Sequence, residues 1–462
     1  MKNRVAGIYA IFLLVYGICF AFVTPPFEVP DEESHFFRSF QLSEGQYHLV
    51  EKYGMLGEWI PCELIHLSRR TAYNRVDLAL DRWHTSPRLT PEVLAVRAFM
   101  AYGSASIYPP VSYVPQIISM CMLRLTSPNV WQLLYVARLF TLLCSVLMIF
   151  YALQELSAWP TLQFALFLLA ATPMNMSQTA SLSADAITNA LVFMLFGLGL
   201  NLRKQFSRCR FMAYLSCSAA LSLSKVIYLY VPFFILPSLA SMEISKQRRC
   251  AYMAAVLFCC ILPGVLWLGY IRPYTPPFKA GILYPMTQIR HILNHPLDIT
   301  GMFFVDFYER LPFMAASFIG RLGWLDLVLP NALIKIYLVC LCVVPMLRLS
   351  MTEKYELRIS ESVVGLFLLF LGFLVLHLLV YITCNPLGVM YVEGVQGRNL
   401  IPLFPLLILI TPHVIDLEQR YWKHLRNALF ILWMVGSVTA LSIVKKHYWY
   451  PPHAHRSSLL VK

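Results

Sequence analysis

Hydrophobic positions along this chain run in long blocks rather than at the period of a surface helix or strand. Val5–Val23, Ala251–Ile271 and Asn427–Val444 contain no charged residue at all. Each approaches the roughly 20 residues a helix needs to cross about 30 Å of hydrocarbon. Further apolar blocks fall near 107–123, 131–153, 160–176, 185–201, 211–240, 331–347, 361–383 and 399–415. The pattern predicts an all-α integral membrane protein, a single transmembrane domain over 1–462 with about 11–13 membrane helices. The 211–240 block is long for one crossing and holds Lys225 at its middle, which predicts two shorter helices with Lys225 near the turn between them. Arg138, near the start of its block, is expected to snorkel.

Composition narrows the class further. Of 462 residues, 58% are hydrophobic and 13% charged, against about 45–50% and about 25% in ordinary soluble domains. A soluble enzyme, a disordered chain and a fibrous repeat are therefore excluded. The formal charge of +13 would suggest nucleic acid in a soluble protein. Here the cations cluster between apolar blocks at Arg203–Arg210, Lys246–Arg249, Arg348–Arg358 and Arg420–Arg426, as expected of cytoplasmic loops. No Walker loop, zinc-finger spacing or RNA-binding signature accompanies them, so no nucleic-acid partner is expected. Lys2 and Arg4 place the N-terminus in the cytoplasm, and the first apolar block, lacking a small-residue cleavage site, reads as a retained helix.

Three segments then share the extracytoplasmic face: 24–106, 272–330 and 384–398. Basic clusters and simple alternation conflict at one point. If 107–123, 131–153, 160–176 and 185–201 all crossed, Arg203–Arg210 would lie outside, so one of these blocks must be re-entrant or interfacial. The 302–324 stretch, with Asp306, Glu309, Arg310, Arg321 and Asp326 among aromatics, reads as interfacial helices. Most cysteines lie in apolar blocks as small hydrophobes; Cys62 and Cys384 fall in loops on one face and are expected unpaired. No internal repeat is evident, which weakens a transporter built from inverted repeats.

Candidate chemistry starts just past the first helix, in Thr24-Pro25-Pro26-Phe27-Glu28-Val29-Pro30-Asp31-Glu32-Glu33-Ser34-His35. Prolines followed by acids signal a helix start, here a short helix from Asp31 to about Ser43 along the membrane surface. Its Phe36, Phe37 and Phe40 would face lipid or the protein core. Crowded carboxylates raise at least one pKa, which suits a general base. Asp31 and His35, at i and i+4, share a helix face. Acids at a helix start are also explained simply as caps, and on the residues alone that reading comes first. Asp185 opens an apolar block after the polar stretch Thr172–Ala184, either as a functional group at membrane depth or as part of an N-cap. Lys225 and Arg398 are cations in apolar surroundings. Gly394 and Gly397 would let the backbone approach a ligand near Gln396, and a guanidinium forks onto phosphate. The plainer alternatives are a snorkelling Arg398 and a Lys225 paired with a carboxylate such as Asp185. His377 reads as a hydrogen-bonded core histidine.

Pro30-Asp31-Glu32-Glu33-Ser34-His35-Phe36-Phe37-Arg38 resembles the opening motif of a bacterial membrane family catalogued as domain of unknown function 2142. Ser183–Asn189, Leu223–Tyr228, Phe318–Asp326 and Gly394–Arg398 are similar to later stretches of that family, in the same order. Asn399 departs from it, since an aromatic commonly follows Gly-Arg there. The resemblance groups the chain with GT-C glycosyltransferases, which use polyprenyl-phosphate-linked sugars. It implies a GT-C-like bundle in a bacterial inner membrane, with an active site facing the periplasm. The implied reaction is an inverting transfer of a sugar such as glucose to a lipid-linked or nascent surface polysaccharide such as O-antigen. Asp31 takes the catalytic-base position, with Glu32 the substitute and Glu28, His35 and Asp185 in support. Lys225, Arg398 and Gln396 would meet the donor phosphate. No cofactor is required, although the acids could hold Mg²⁺ or Mn²⁺. The implied partners are the lipid-linked donor, the saccharide acceptor, membrane lipid, a polyprenyl-phosphate sugar synthase and a flippase. Two other readings stay open: a transporter or flippase for a lipid-linked saccharide, and a non-catalytic subunit of a polysaccharide assembly complex.

Overall fold

A computed structural model describes residues 2–450 except 53–54, 74–85, 103–104, 106–107, 275–284, 350–357, 390 and 413. The chain is predominantly helical, as its apolar blocks require. Among the described residues, six helices are long and apolar enough to cross a membrane: Arg4–Val23, Val130–Ala158, Asp185–Lys204, Lys246–Ile271, Ile359–Cys384 and Gln419–Trp449. The shorter apolar helices Pro160–Ala170, Val226–Ala240, Asn331–Met346 and Gly397–Ile410 accompany them. Of the about 11–13 membrane helices expected, the described residues thus show six long ones and four shorter apolar ones.

The breaks have local causes. Thr172 is held extended (ψ 142°) ahead of Pro173, because a proline ring excludes the helical conformation from the residue before it. This splits the 160–176 block into Pro160–Ala170 and Pro173–Thr179. The 211–240 block divides as expected, with Lys225 between Arg208–Ser222 and the short turns that begin at Val226. The Val130–Glu155 helix starts at a capping box in which Asn129 and Gln132 bond each other's backbone N–H at 2.9 Å; such a box satisfies two otherwise orphaned donors.

Side-chain contacts define two ends of the bundle. At one end Arg203 meets Glu361 (2.8 Å), Arg210 meets Glu155 (3.0 Å) and Arg348 meets Asp416 (2.7 Å); this is the basic end. At the other, Trp449 Nε1 donates to the Val23 carbonyl at 2.9 Å and Trp324 Nε1 to the Phe27 carbonyl at 3.0 Å; this is the acid end. The alternation conflict resolves here. The helix Val114–Arg124, from the 107–123 block, stays at the acid end, where Gln116 donates to the Leu182 carbonyl (3.2 Å) and Arg124 to the Ser43 carbonyl (2.5 Å). With that block out of the count, Arg203–Arg210 reaches the basic end by ordinary alternation.

The first loop is folded rather than laid on a surface. Glu32–Ser43 is helical, but most of it is buried, and Phe36, Phe37 and Phe40 sit in a core with Ile60, Leu64, Trp131 and Leu134. Above that core lies an antiparallel sheet of Val50–Lys52, Met55–Pro61 and Arg97–Ala101, with Trp59 opposite Phe99. The expected interfacial helices of 302–324 appear as one helix, Pro296–Ile319, followed by a two-stranded hairpin, Arg321–Leu322 with Leu327–Val328. Cys62 and Cys384 are unpaired. His377 is buried, its Nδ1 2.8 Å from the Phe373 carbonyl. The C-terminal His453-Ala454-His455, which reads from the sequence as a solvated tail, lies outside the described residues.

Arg138 does not snorkel. It is fully buried, and all five of its N–H groups find acceptors. Nε and Nη2 bond the two oxygens of Glu32 at 2.7 and 2.5 Å, Nη1 bonds the Ala21 and Thr24 carbonyls at 2.8 Å, and Nη2 also reaches the Pro25 carbonyl at 3.1 Å. Glu32, 0% exposed, also accepts the N–H groups of Phe27 (2.9 Å) and Leu182 (3.2 Å). Removing one partner of such a pair strands a buried charge. Glu32→Gln or Arg138→Met should therefore destabilise the protein by about 3–5 kcal/mol. Replacing both by apolar residues should recover a large part of that loss, as read by thermal unfolding in detergent.

Candidate active site

The turn between the first helix and the acid helix is tight and strained. Phe27 (φ 65°) and Asp31 (φ 67°) both adopt the left-handed conformation, which costs free energy in residues other than glycine, more in a bulky Phe than in an Asp. Asp31 precedes the helix yet makes no side-chain capping hydrogen bond. The plain capping explanation thus does not apply to it. Its Oδ2 instead accepts from Arg398 Nη2 at 3.0 Å, across nearly the whole length of the chain. The Asp31 side chain is 50% exposed, whereas Arg398 is 9% exposed.

A second ion pair lies alongside. Lys225 Nζ bonds Asp185 Oδ1, and its ammonium rests 5.2 Å from the Tyr108 ring centre. Asp185 is shaped from behind by Ser183, whose Oγ accepts its backbone N–H at 3.1 Å. Lys225 is placed by its neighbour Ser224, whose hydroxyl bonds Ser112 (2.6 Å) and Thr188 (2.7 Å). Buried hydroxyls satisfied in this way fix the backbone that carries the cation.

His35 sits between the two pairs. Its Nδ1 is 2.7 Å from the Tyr113 hydroxyl, and its ring stacks on Tyr108 with centroids 5.8 Å apart. Burial is the largest influence on the imidazole and pushes its pKa down to about 4. Asp31 and Asp185 pull it up, and Lys225 and Arg398 push it down. His35 is therefore neutral at pH 7, and all four charges act on one ring.

The structure thus brings Asp31, His35, Asp185, Lys225 and Arg398 together. Gln396 lies two residues before Arg398; its Oε1 and Arg398 Nε are buried without a hydrogen-bond partner among the described residues. Glu32 faces elsewhere. All four of its acceptor positions are taken by Arg138, Phe27 and Leu182, which leaves it no free lone pair for a substrate proton. Glu28 lies on the loop side and acts electrostatically on Arg138. Gly394 (φ 103°) needs its glycine for backbone reasons. Gly397 approaches the neighbouring helix: a Cβ there would stand 1.9 Å from the Met314 carbonyl oxygen.

The acids do not fit the divalent cation raised from the sequence. Asp31 and Glu32 are committed to different guanidinium partners, and among the described residues no three His, Cys, Asp or Glu side chains converge as a metal site would need. The sequence alone did not point to Tyr108 or Tyr113, and it suggested the wrong role for Arg138. Tyr108 carried a weak signal, since an aromatic followed by Pro109 and Pro110 is rigidly presented.

Beside the site runs a groove of about 780 Å³ lined by Phe304, Phe307, Met314, Leu369, Leu400, Leu403 and other apolar side chains. It opens to the side of the bundle, where Phe304, Leu366 and Phe370 are exposed. The segment Gly397–Ile410 joins the two features, with Arg398 at its start and Leu400, Leu403 and Leu407 in the groove wall.

A helical, multi-pass membrane protein with paired charges buried at one end is the class these observations define. Its family is equally plain. The chain belongs to the family described as Predicted membrane protein (DUF2142), whose model matches residues 14–407. No curated protein and no solved structure matches it.

The neutral imidazole has a stability consequence. Unfolded His35 titrates near 6.5 and folded His35 near 4, so between these values the unfolded chain binds the extra proton. Stability from this group is complete above pH 6.5 and is lost as pH falls toward 4, by about 3 kcal/mol. The difference in unfolding free energy between wild type and His35→Gln should therefore shrink across that window, and should be constant from pH 7 to 8.

Proposed function

We propose that this chain is a GT-C type glycosyltransferase that moves a sugar from a polyprenyl-phosphate donor to a lipid-linked or nascent surface polysaccharide. The observation that carries the reading is the half-exposed Asp31 carboxylate held 3.0 Å from the Arg398 guanidinium, beside Lys225 and Asp185, at one end of a membrane bundle. In this reading the basic end is cytoplasmic and the acid end faces the periplasm of a bacterial inner membrane, following the bias of Lys and Arg.

The proposed chemistry balances on these residues. Asp31 accepts the proton of an acceptor sugar hydroxyl as that oxygen attacks the anomeric carbon. The bond from the anomeric carbon to the phosphate oxygen breaks on the opposite face, and its electron pair leaves with the polyprenyl phosphate. The sugar is transferred with inversion. Negative charge growing on the departing phosphate is met by Arg398 and Lys225. The unpartnered Arg398 Nε and Gln396 Oε1 supply a donor and an acceptor for phosphate and sugar hydroxyl. The lateral apolar groove suits the lipid that such a donor carries.

Purified protein in nanodiscs, given a radiolabelled polyprenyl-phosphate sugar and surface polysaccharide, should transfer label. Asp31→Asn should lower that rate by about 10²–10⁴-fold while donor binding persists. Glu32→Gln, where it folds, should retain transfer. Wild-type transfer by Asp31→Asn would refute the base assignment. Movement of the lipid-linked sugar across empty liposomes, insensitive to Asp31→Asn, would favour a flippase.

A further inference from the structure

One stretch quoted from the sequence has no part in the reaction above: Gly320-Arg321-Leu322-Gly323-Trp324-Leu325-Asp326. It folds into the hairpin at the acid end. Gly323 (φ 62°) and Leu325 (φ 67°) are both left-handed and flank Trp324. Leucine in that conformation is strained, and such strain persists only where the surroundings over-determine it. Here they do. Arg321 Nε donates to the Leu325 carbonyl at 2.5 Å, and its guanidinium lies 4.8 Å from the Phe313 ring centre. A Cβ on Gly323 would collide with Asp326 and Tyr448, so the turn is closed on that side.

The outcome of this construction is an indole held outward. Trp324 is 55% exposed, yet its Nε1 is fixed to the Phe27 carbonyl at 3.0 Å. Phe27 is the other left-handed residue of the strained turn that ends at Asp31, and its N–H is held by Glu32. Two strained turns are thus locked to each other, with one exposed aromatic face and one half-exposed carboxylate on the same end of the molecule. An indole serving only as a membrane-interface anchor needs neither the strained flanks nor a bond to the turn that carries Asp31.

We propose that Trp324 is the stacking platform for the acceptor saccharide, presenting its indole face to the apolar C–H face of a pyranose ring so that a hydroxyl is directed toward Asp31. An aromatic face with its polar edge already satisfied suits such a ligand, which is apolar on its ring faces and polar at its rim. This inference rests on the glycosyltransferase reading and adds to it the element that selects the acceptor. The donor is held by other residues, so Trp324 bears on the acceptor alone.

The test uses the full-length protein in nanodiscs and polysaccharide released from the host cell surface by mild acid. Binding is followed by isothermal calorimetry, and transfer by radiolabel with donor and acceptor varied separately. Trp324→Ala should raise the acceptor KM and weaken polysaccharide binding about tenfold, the worth of one aromatic stack. Its donor KM should stay at the wild-type value, and Trp324→Phe, which keeps an aromatic face but lacks the Nε1 bond to the Phe27 carbonyl, should restore most of the binding. Unchanged acceptor KM and binding in Trp324→Ala would overturn the platform while leaving the transferase reading intact. Equal loss for donor and acceptor in Trp324→Ala, not restored by Trp324→Phe, would show a purely structural tryptophan and also overturn it. Absence of polysaccharide binding by wild type removes the platform whatever the reaction. Absence of transfer by a wild type that binds polysaccharide would instead refute the transferase reading alone.

Discussion

The acid end of this protein is organised by one buried ion pair. Glu32 and Arg138 exclude water completely, and their nine hydrogen-bonding positions reach the end of the first helix, the turn after it, the helix Val130–Glu155 and the backbone at Leu182. Apolar packing alone does not fix register between helices, because lipid tails are as apolar as leucine. A fully satisfied guanidinium–carboxylate pair does, since a shift of either partner leaves a charge buried without compensation. The strained turn from Phe27 to Asp31 is tolerable for the same reason. Its ends are held by Glu32 accepting the Phe27 N–H and by Arg138 donating to Thr24 and Pro25. With the turn held there, Asp31 projects away from its own helix start and across to Arg398.

The sequence made the helical membrane class, the basic end and the split around Lys225 legible, because each follows from spacing and charge. Lys225 with Asp185 could be anticipated, since a cation in apolar surroundings must find a carboxylate. The partner of Arg398 could not be, because it lies far away in the chain. Arg138 was misjudged for a related reason: a lone arginine near the start of an apolar block resembles a snorkelling side chain unless the acid opposite is known. The block 107–123 has the composition of a crossing, and what keeps Val114–Arg124 at the acid end are bonds from Gln116 and Arg124 to distant backbone. The hairpin at 321–328 was invisible because its strands are two residues long, too short for any alternation to register.

The charge balance of the site bears on how it could work. Arg398 is matched by Asp31 and Lys225 by Asp185, and burial keeps His35 neutral. Free cations awaiting an anion in this enclosed place would destabilise the fold, since an unpaired buried charge costs several kcal/mol. Pairing each cation with a carboxylate removes that cost while keeping both cations within reach of a ligand. In the proposed reaction this arrangement couples binding to activation. A phosphate oxygen drawing on the Arg398 guanidinium loosens its hydrogen bond to Asp31 Oδ2 and frees that oxygen for a new partner. The carboxylate would then be open to a new hydrogen bond at the stage when the donor is in place, and the half-exposed face of Asp31 is the side from which an acceptor hydroxyl could reach it.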